Sequence, residues 1–172
     1  MSFTIRPAQS DDAASVCNVL RRSIAECCSL DHGGESSMLA AWLGNKTSDN
    51  VAAWIGTPTN HTVVAERDGV VAGVALVNQA GKLSLCYVLP EAQGVGLGKA
   101  LLLAVEEQAR SWGVSVVRLH GTATAQGFFA RHGYIFAGKE KSCYGLECDL
   151  FWKKLDAEQS SQGAKFCNCN AR

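Results

Sequence analysis

The sequence is short of the features that mark charged-surface binders, membrane proteins and metalloproteins. Lys and Arg number 16 and Asp and Glu 16, for a formal net charge of zero. That balance gives no general electrostatic pull toward nucleic acid or an anionic bilayer. No stretch approaches the roughly 20 apolar residues that a membrane span needs. The opening segment, Met1-Ser2-Phe3-Thr4-Ile5-Arg6-Pro7, lacks the apolar core of a secretory signal. The expected compartment is therefore the cytoplasm, with neither nucleic acid nor membrane as partner. There are eight cysteines, but the C-x-x-C pairs favoured by structural zinc are missing. The nearest approaches are the adjacent Cys27-Cys28 and the Cys167-Asn168-Cys169 run near the end. No metal is expected, the last run is assigned no role, and reduced thiols are the default without a secretory signal. Internal repeats are absent as well.

What is present is an ordinary globular balance, 47% apolar and 19% charged, which is enough to bury a core. The length fits one domain, expected over 1–155. The end, 156–172, is polar and aperiodic, and is expected to be a disordered tail.

Residues 3–7 alternate as a strand stopped by Pro7. Ser10-Asp11-Asp12 offers a cap and an acidic first turn, and Ala13, Val16, Cys17, Leu20 and Ile24 follow at helical spacing, so 11–28 reads as a helix. His32-Gly33-Gly34 breaks it. A second helix is expected over 36–43, and a third from the cap at Thr47-Ser48-Asp49 to Gly56-Thr57-Pro58. The period then changes. Strands are expected over 61–66, 70–77 and 82–89, the first two joined at Asp68-Gly69, a pair that accepts positive φ. This is an antiparallel meander. A long helix follows a glycine-rich loop and closes at Trp112-Gly113. A β-branched strand over 115–119 should lie parallel to 82–89, because a helix connects them. A short helix over 123–131 and two strands, one starting at 134 and one over 144–152, complete the order.

The informative segment is Gln93-Gly94-Val95-Gly96-Leu97-Gly98-Lys99. A strand feeds it and it feeds a helix, so its unobstructed N–H groups and the positive helix end suit a phosphate or diphosphate. A P-loop needs G-x-x-x-x-G-K-S/T, but position 93 is Gln and position 100 is Ala. A dinucleotide fingerprint needs G-x-G-x-x-G, but position 99 is Lys. The remaining match is Q-x-x-G-x-G, carried by Gln93, Gly96 and Gly98.

On that segment the chain resembles the GNAT superfamily of N-acetyltransferases, whose Q/R-x-x-G-x-G/A run holds the diphosphate of coenzyme A. The preceding Tyr87-Val88-Leu89-Pro90 looks like the family's strand with a bulge and a closing proline. Downstream, the run from Thr122 to Tyr134 looks like the family's second CoA segment, N/S-x-x-A-x-x-F-Y-x-x-x-G-F/Y, with Thr122 at the Asn/Ser position. The resemblance covers residues 2–155 in element order. It implies a GNAT-like acyl-CoA N-acyltransferase fold, mixed α/β, with a central, mostly antiparallel twisted sheet of about six or seven strands flanked by helices. It implies acetyl-CoA as co-substrate, with Tyr87, Val88, Gln93, Gly94, Val95, Gly96, Leu97, Gly98, Lys99, Thr122 and Phe129 around it. The acceptor would be a primary amine of a small molecule or peptide, attacking the thioester in a gap between the strands at 82–89 and 115–120. A homodimer is common in the family.

The chain departs from the pattern at Phe129, where the family carries the Tyr that serves as general acid. A phenyl ring cannot hydrogen-bond the leaving sulfur. Substitutes along the chain are Tyr87, Tyr134, Tyr144 and Cys143, and unaided departure is also open, since a CoA thiol is about as acidic as free Cys, near pKa 8.5. His120, at the end of a strand, is the candidate general base, and Tyr87 stands beside it as a candidate catalytic group. The resemblance places Asp31 and His32 at the acceptor. Glu26 reads as a surface residue. Trp42, Asn45, Lys46 and Trp54 form an aromatic and polar cluster that could line the acceptor pocket or pack the core. Three readings stay open: an N-acetyltransferase, a CoA binder with little transferase activity, and a nucleotide-binding module without CoA.

Overall fold

The computed structural model describes residues 2–141 and 147–156. The expectations for Cys143, Tyr144 and the tail fall outside those residues. In chain order the strands are β1 (Thr4–Pro7), β2 (Asn60–Arg67), β3 (Val70–Asn78), β4 (Leu83–Val88), β5 (Val116–Gly121), β6 (Ile135–Lys141) and β7 (Glu147–Lys154). The helices are α1 (Ala13–Cys27), α2 (Ser29–His32), α3 (Ser36–Leu43), α4 (Ser48–Gly56), α5 (Leu97–Ser111) and α6 (Gln126–Arg131). Short 3-10 turns precede α1 at Ser10–Asp12 and follow β4 at Pro90–Ala92. The one helix without a sequence signal of its own is α2, a single turn between Cys28 and the left-handed Gly33.

Local chemistry explains most of these bounds. The Asp12 carboxylate accepts from the Gln9 N–H at 2.8 Å and from both terminal nitrogens of Arg6, which ties the entry of α1 to β1. The Thr47 hydroxyl accepts from the Asn50 N–H at 3.2 Å and caps α4. Asp68 and Gly69 take φ of 54° and 78°, the conformation of a two-residue hairpin. β3 reads Val-Val-Ala-Gly-Val-Ala-Leu-Val and is buried from Val71 to Val77, as a central strand covered on both faces should be. α1 packs on β3 and β4. α5 packs on β2, β3 and β4, and Gly73 lets Leu101 close onto the strand.

The seven described strands form two sheets rather than one. β1-β2-β3-β4 is an antiparallel meander, and β5-β7-β6 is a second antiparallel sheet. The expected parallel neighbours β4 and β5 meet at one point, a bridge from Lys82 to Arg118, where the Arg118 N–H donates to Gly81 O at 2.8 Å. The bulge expected near Tyr87-Val88-Leu89-Pro90 is not there. Register with β3 is unbroken from Leu85 to Val88, and the irregularity falls at the other end of β4, opposite Val77. One apolar core nevertheless joins both sheets, from Val16 and Leu20 through Val74, Leu101 and Val105 to Leu119, Phe129 and Phe151. Among the described residues, no helix is long and apolar enough to cross a membrane.

Candidate active site

Past the Lys82–Arg118 bridge, β4 and β5 diverge. Between them opens a cleft of about 510 Å³, with Leu85, Cys86, Tyr87 and Val88 on one wall and Leu119, His120 and Thr122 on the other. Backbone direction matters here, because successive amides of a strand point to opposite edges. The Leu89 N–H donates to Ala72 O in β3 at 2.8 Å, so the N–H of Val88 turns into the gap. The Arg118 N–H points to β4, so the N–H of His120 turns inward too.

One end of the cleft is the glycine loop. Gly94 and Gly96 have φ of 78° and 90°, and Gly96 caps α5. Ala100 is the first residue to donate back, to Gly96 O at 3.0 Å, which leaves the amides of Leu97, Gly98 and Lys99 without helical acceptors. A Cβ added at Gly94 or Gly96 would meet nothing within 4 Å, so the space in front of these amides is open. Leu97 buries its side chain in the core and offers only its N–H. Gly98 has a different reason: a Cβ there would meet the Phe128 ring at 3.3 Å. The Gln93 side chain donates to Cys27 Sγ at 3.1 Å, and Val95 is exposed. Lys99, Arg131 and His132 line the same end. Cations, bare amides and a helix N-terminus together fit a diphosphate.

The other singled-out residues divide sharply. Tyr87 pairs with Val74 of β3 and packs against the small cluster of Ile24, Cys28 and Trp42. Burial, reinforced by Cys28, Cys86, Asp31 and Cys148, holds its hydroxyl far above the usual tyrosine pKa, so it stays protonated and can donate a hydrogen bond but not readily its proton. Burial likewise pushes the Cys28 and Cys86 thiols up to about 12, helped by Asp31 and Cys27 at the first and by Glu106 at the second. His120 is exposed at the cleft wall, with Nε2 2.9 Å from Glu140 Oε2. The Thr122 hydroxyl accepts from the Ala125 N–H at 3.1 Å, in the turn that leads into α6. Phe129 is buried among Phe128, Tyr134 and Phe151, with ring centroids 5.2, 5.5 and 6.1 Å away.

Asp31 and His32 do not line the cleft. Asp31 reaches over the loop between β5 and α6, accepting from the Ala123 N–H at 2.7 Å and the Thr124 hydroxyl at 2.8 Å. It straps α2 to that loop. His32 is buried, and its Nδ1 accepts from the Gly34 N–H at 3.1 Å. The Tyr134 hydroxyl donates to Glu106 Oε1 at 3.0 Å, in a buried group that also holds Lys153 Nζ, so its proton faces away from the cleft. Glu26 pairs with Arg22 on the surface. Trp42 packs on Ile24 and Cys28, while Trp54 packs on the main core beneath Lys46. Neither ring, nor Asn45 nor Lys46, reaches the cleft.

Sequence reasoning passed over Cys27, Phe128, Arg131 and His132, all at the cleft. The last three were in view, inside the second motif. What hid them is that α6 is six residues long, too short for periodicity to say which face it turns to the loop.

Comparison with known proteins follows the same lines. The model of the acetyltransferase (GNAT) domain matches residues 31–148. A candidate acetyltransferase of Bacillus subtilis (strain 168) is 34% identical over 86 residues, which are 50% of this chain and 58% of that protein; the chain thus spans under two thirds of the relative's length. Among solved structures, a GCN5-related N-acetyltransferase from Rhodopseudomonas palustris is similar with a TM-score of 0.81 at 23% identity, over 90% of this chain and 97% of that one. PaiA N-acetyltransferase from Thermoplasma acidophilum, in complex with coenzyme A, is similar with a TM-score of 0.74 at 19% identity, over 90% and 100% of the two chains.

Proposed function

The chain belongs to the GNAT acetyltransferase family, and from that premise we propose that its 1–155 region is a single N-acetyltransferase domain, moving an acetyl group from acetyl-CoA to a primary amine. The observation that carries the reading is continuity: the bare amides of 94–99 open directly into the gap between β4 and β5. The diphosphate of the co-substrate would lie on the amides from Gly94 to Lys99, with Lys99 and Arg131 adding charge. The pantetheine would run between Val88 and Thr122, over Phe128, and bring the thioester into the gap. There the inward N–H of Val88 would donate a hydrogen bond to the developing oxyanion.

The transfer is direct in this proposal. The amine nitrogen attacks the carbonyl carbon, a C–N bond forms, the C–S bond breaks, and the proton lost from nitrogen balances the thiolate that leaves. A relay through a cysteine needs a thiolate. Cys28 and Cys86 hold their protons to about pH 12, and Cys27 sits beside Gln93 at the diphosphate end. Tyr87 takes the part of hydrogen-bond donor to the sulfur that Phe129 cannot play, and keeps its own proton. His120, whose Nε2 lies 2.9 Å from Glu140 Oε2, is assigned the part of base that receives the amine's proton. The free thiols of Cys17, Cys27, Cys28, Cys86 and Cys148 suit a reducing compartment, and the activity is proposed for the cytoplasm.

A second reading rests on one observation. Residue 129 carries no hydroxyl and its ring is buried in the core, which is what a CoA binder without turnover would tolerate. Two measurements separate these readings and a third. Acetyl-CoA should raise the melting temperature while ATP and NAD should not, and thiol release should follow addition of an amine. Binding without release supports the second reading. A response to ATP or NAD in place of acetyl-CoA refutes both.

A further inference from the structure

A second groove, about 570 Å³, lies on the far face of the β5-β7-β6 sheet and shares Leu119 and His120 with the cleft. Alternation along β5 explains how the two meet. Val117 and Leu119 are buried toward the side where Phe129 packs on Phe151. Arg118 and His120 therefore face the other way, opposite Trp152 and Leu150 of β7. Among the described residues, no helix covers this stretch of sheet as α6 covers its other face. Its floor is half-buried Leu150 and Trp152, and its rim carries Lys82, Arg118 and His120.

The charges in the groove are unequal. His120 has Glu140 as a partner at 2.9 Å. Lys82 and Arg118 are exposed, adjacent through the strand bridge, and form no ion pair among the described residues. Two uncompensated cations beside an indole and a leucine make a surface complementary to an anion on an apolar body. Its other end, at His120, opens into the gap where acyl transfer would occur.

Resting on the acetyltransferase reading, we propose that this groove receives the acceptor and that the acceptor is an amine that also bears a carboxylate. The acid is held by Arg118 and Lys82, the apolar body lies on Trp152 and Leu150, and the amine reaches the junction at His120. A guanidinium takes a carboxylate in a two-point fit, so Arg118 is the main anchor and Lys82 the auxiliary one. The chemistry is shared by a free amino acid with an apolar side chain and by a peptide with an acid near its amino end.

The test is thiol release from acetyl-CoA with matched amines: leucine and phenylalanine, their carboxamides, and short peptides with and without an acidic second residue. The carboxamide amine is less basic and so more often unprotonated, which works against the expected order. The wild-type enzyme should nonetheless favour the acid at least tenfold in kcat/KM. Arg118→Gln should bring the acid-to-carboxamide ratio close to one, through KM, and Arg118→Lys should restore part of it. Lys82→Gln should narrow the ratio less. Melting temperature and acetyl-CoA affinity verify that each variant is folded. A preference among free acids points to amino acids, and one confined to acidic peptides points to peptide ends; either supports the groove. Equal rates for acids and carboxamides, or a ratio that Arg118→Gln does not change, overturn it and leave the acetyltransferase reading standing. No release with any amine, while acetyl-CoA still binds, removes that reading and this inference with it.

Discussion

In the proposed acetyltransferase, Gly96 is the residue on which the co-substrate site turns. It holds φ of 90° at the mouth of α5, and an added Cβ would meet no protein atom within 4 Å. A substitution there is therefore not resisted by packing. It costs about 1–2 kcal/mol for placing an L-residue in the left-handed region, and somewhat more for a β-branched one. In a chain of this size that lowers the melting temperature by about 2–8 °C, so Gly96→Val should remain folded. Binding is another matter. If Val keeps the positive φ, its side chain fills the space in front of the amides. If it relaxes to negative φ, the amides of Leu97 and Gly98 turn away. Either way at least two hydrogen bonds to an anion are lost, each worth about 1.5–3 kcal/mol. The sum, roughly 3–6 kcal/mol, predicts a rise of two to four powers of ten in the Kd for coenzyme A. Calorimetric titration measures this directly. Thermal shift gives a second readout, since ligand at 100 times Kd should stabilise the wild type by about 2.7 kcal/mol and the variant by almost nothing. A folded Gly96→Val protein that binds coenzyme A within threefold of wild type would refute the placement of the diphosphate.

Three further outcomes are expected. Tyr87→Phe keeps the ring and removes the hydroxyl that hydrogen-bonds the departing sulfur, so kcat for acetyl transfer should fall about 10²-fold with little change in melting temperature; a kcat within threefold of wild type would exclude Tyr87 from that role. Glu106 is 1% exposed and takes hydrogen bonds from the Tyr134 hydroxyl and Lys153 Nζ, each at 3.0 Å. Glu106→Leu strands both, and should cost about 3–5 kcal/mol in denaturant unfolding, part of it recovered by adding Lys153→Met; a loss under about 1 kcal/mol would contradict the buried pairing. Alkaline stability follows from the raised thiols. Above about pH 9 an unfolded cysteine releases a proton that folded Cys28 and Cys86 keep to about pH 12. The unfolded state then binds fewer protons, and stability should fall by about 1.4 kcal/mol per pH unit for each thiol. A flat profile of unfolding free energy from pH 9 to 11 in the wild type would sink the assignment, and Cys86→Ser should flatten the slope by one thiol's share.

The parts of this molecule legible in its sequence are those whose physics is local. Apolar spacing sets α1 and α5, the unbroken apolar run of β3 announces a strand covered on both faces, and Asp68-Gly69 and Thr47 act within four residues of themselves. The glycine loop is local too, because Gly94 and Gly96 before a helix and Gly98 in its first turn state their own purpose. What escaped is what depends on residues far apart. The alternation of β4 fits a paired neighbour as well as an open gap, so the parting of β5 beyond Arg118 is foretold by the family resemblance and not by the strand's own residues. Asp31 looks like an acceptor residue by its position, and becomes a strap only because Thr124, 93 positions on, arrives beneath it. His120 reads as a strand-end histidine until Glu140 and the two clefts meet at its ring. Catalysis and specificity both live at that kind of junction. A sequence pattern can therefore name the proposed co-substrate, whose site is one continuous loop, well before it can name the proposed acceptor, whose site draws on Lys82, Arg118 and Trp152 from three separate strand regions.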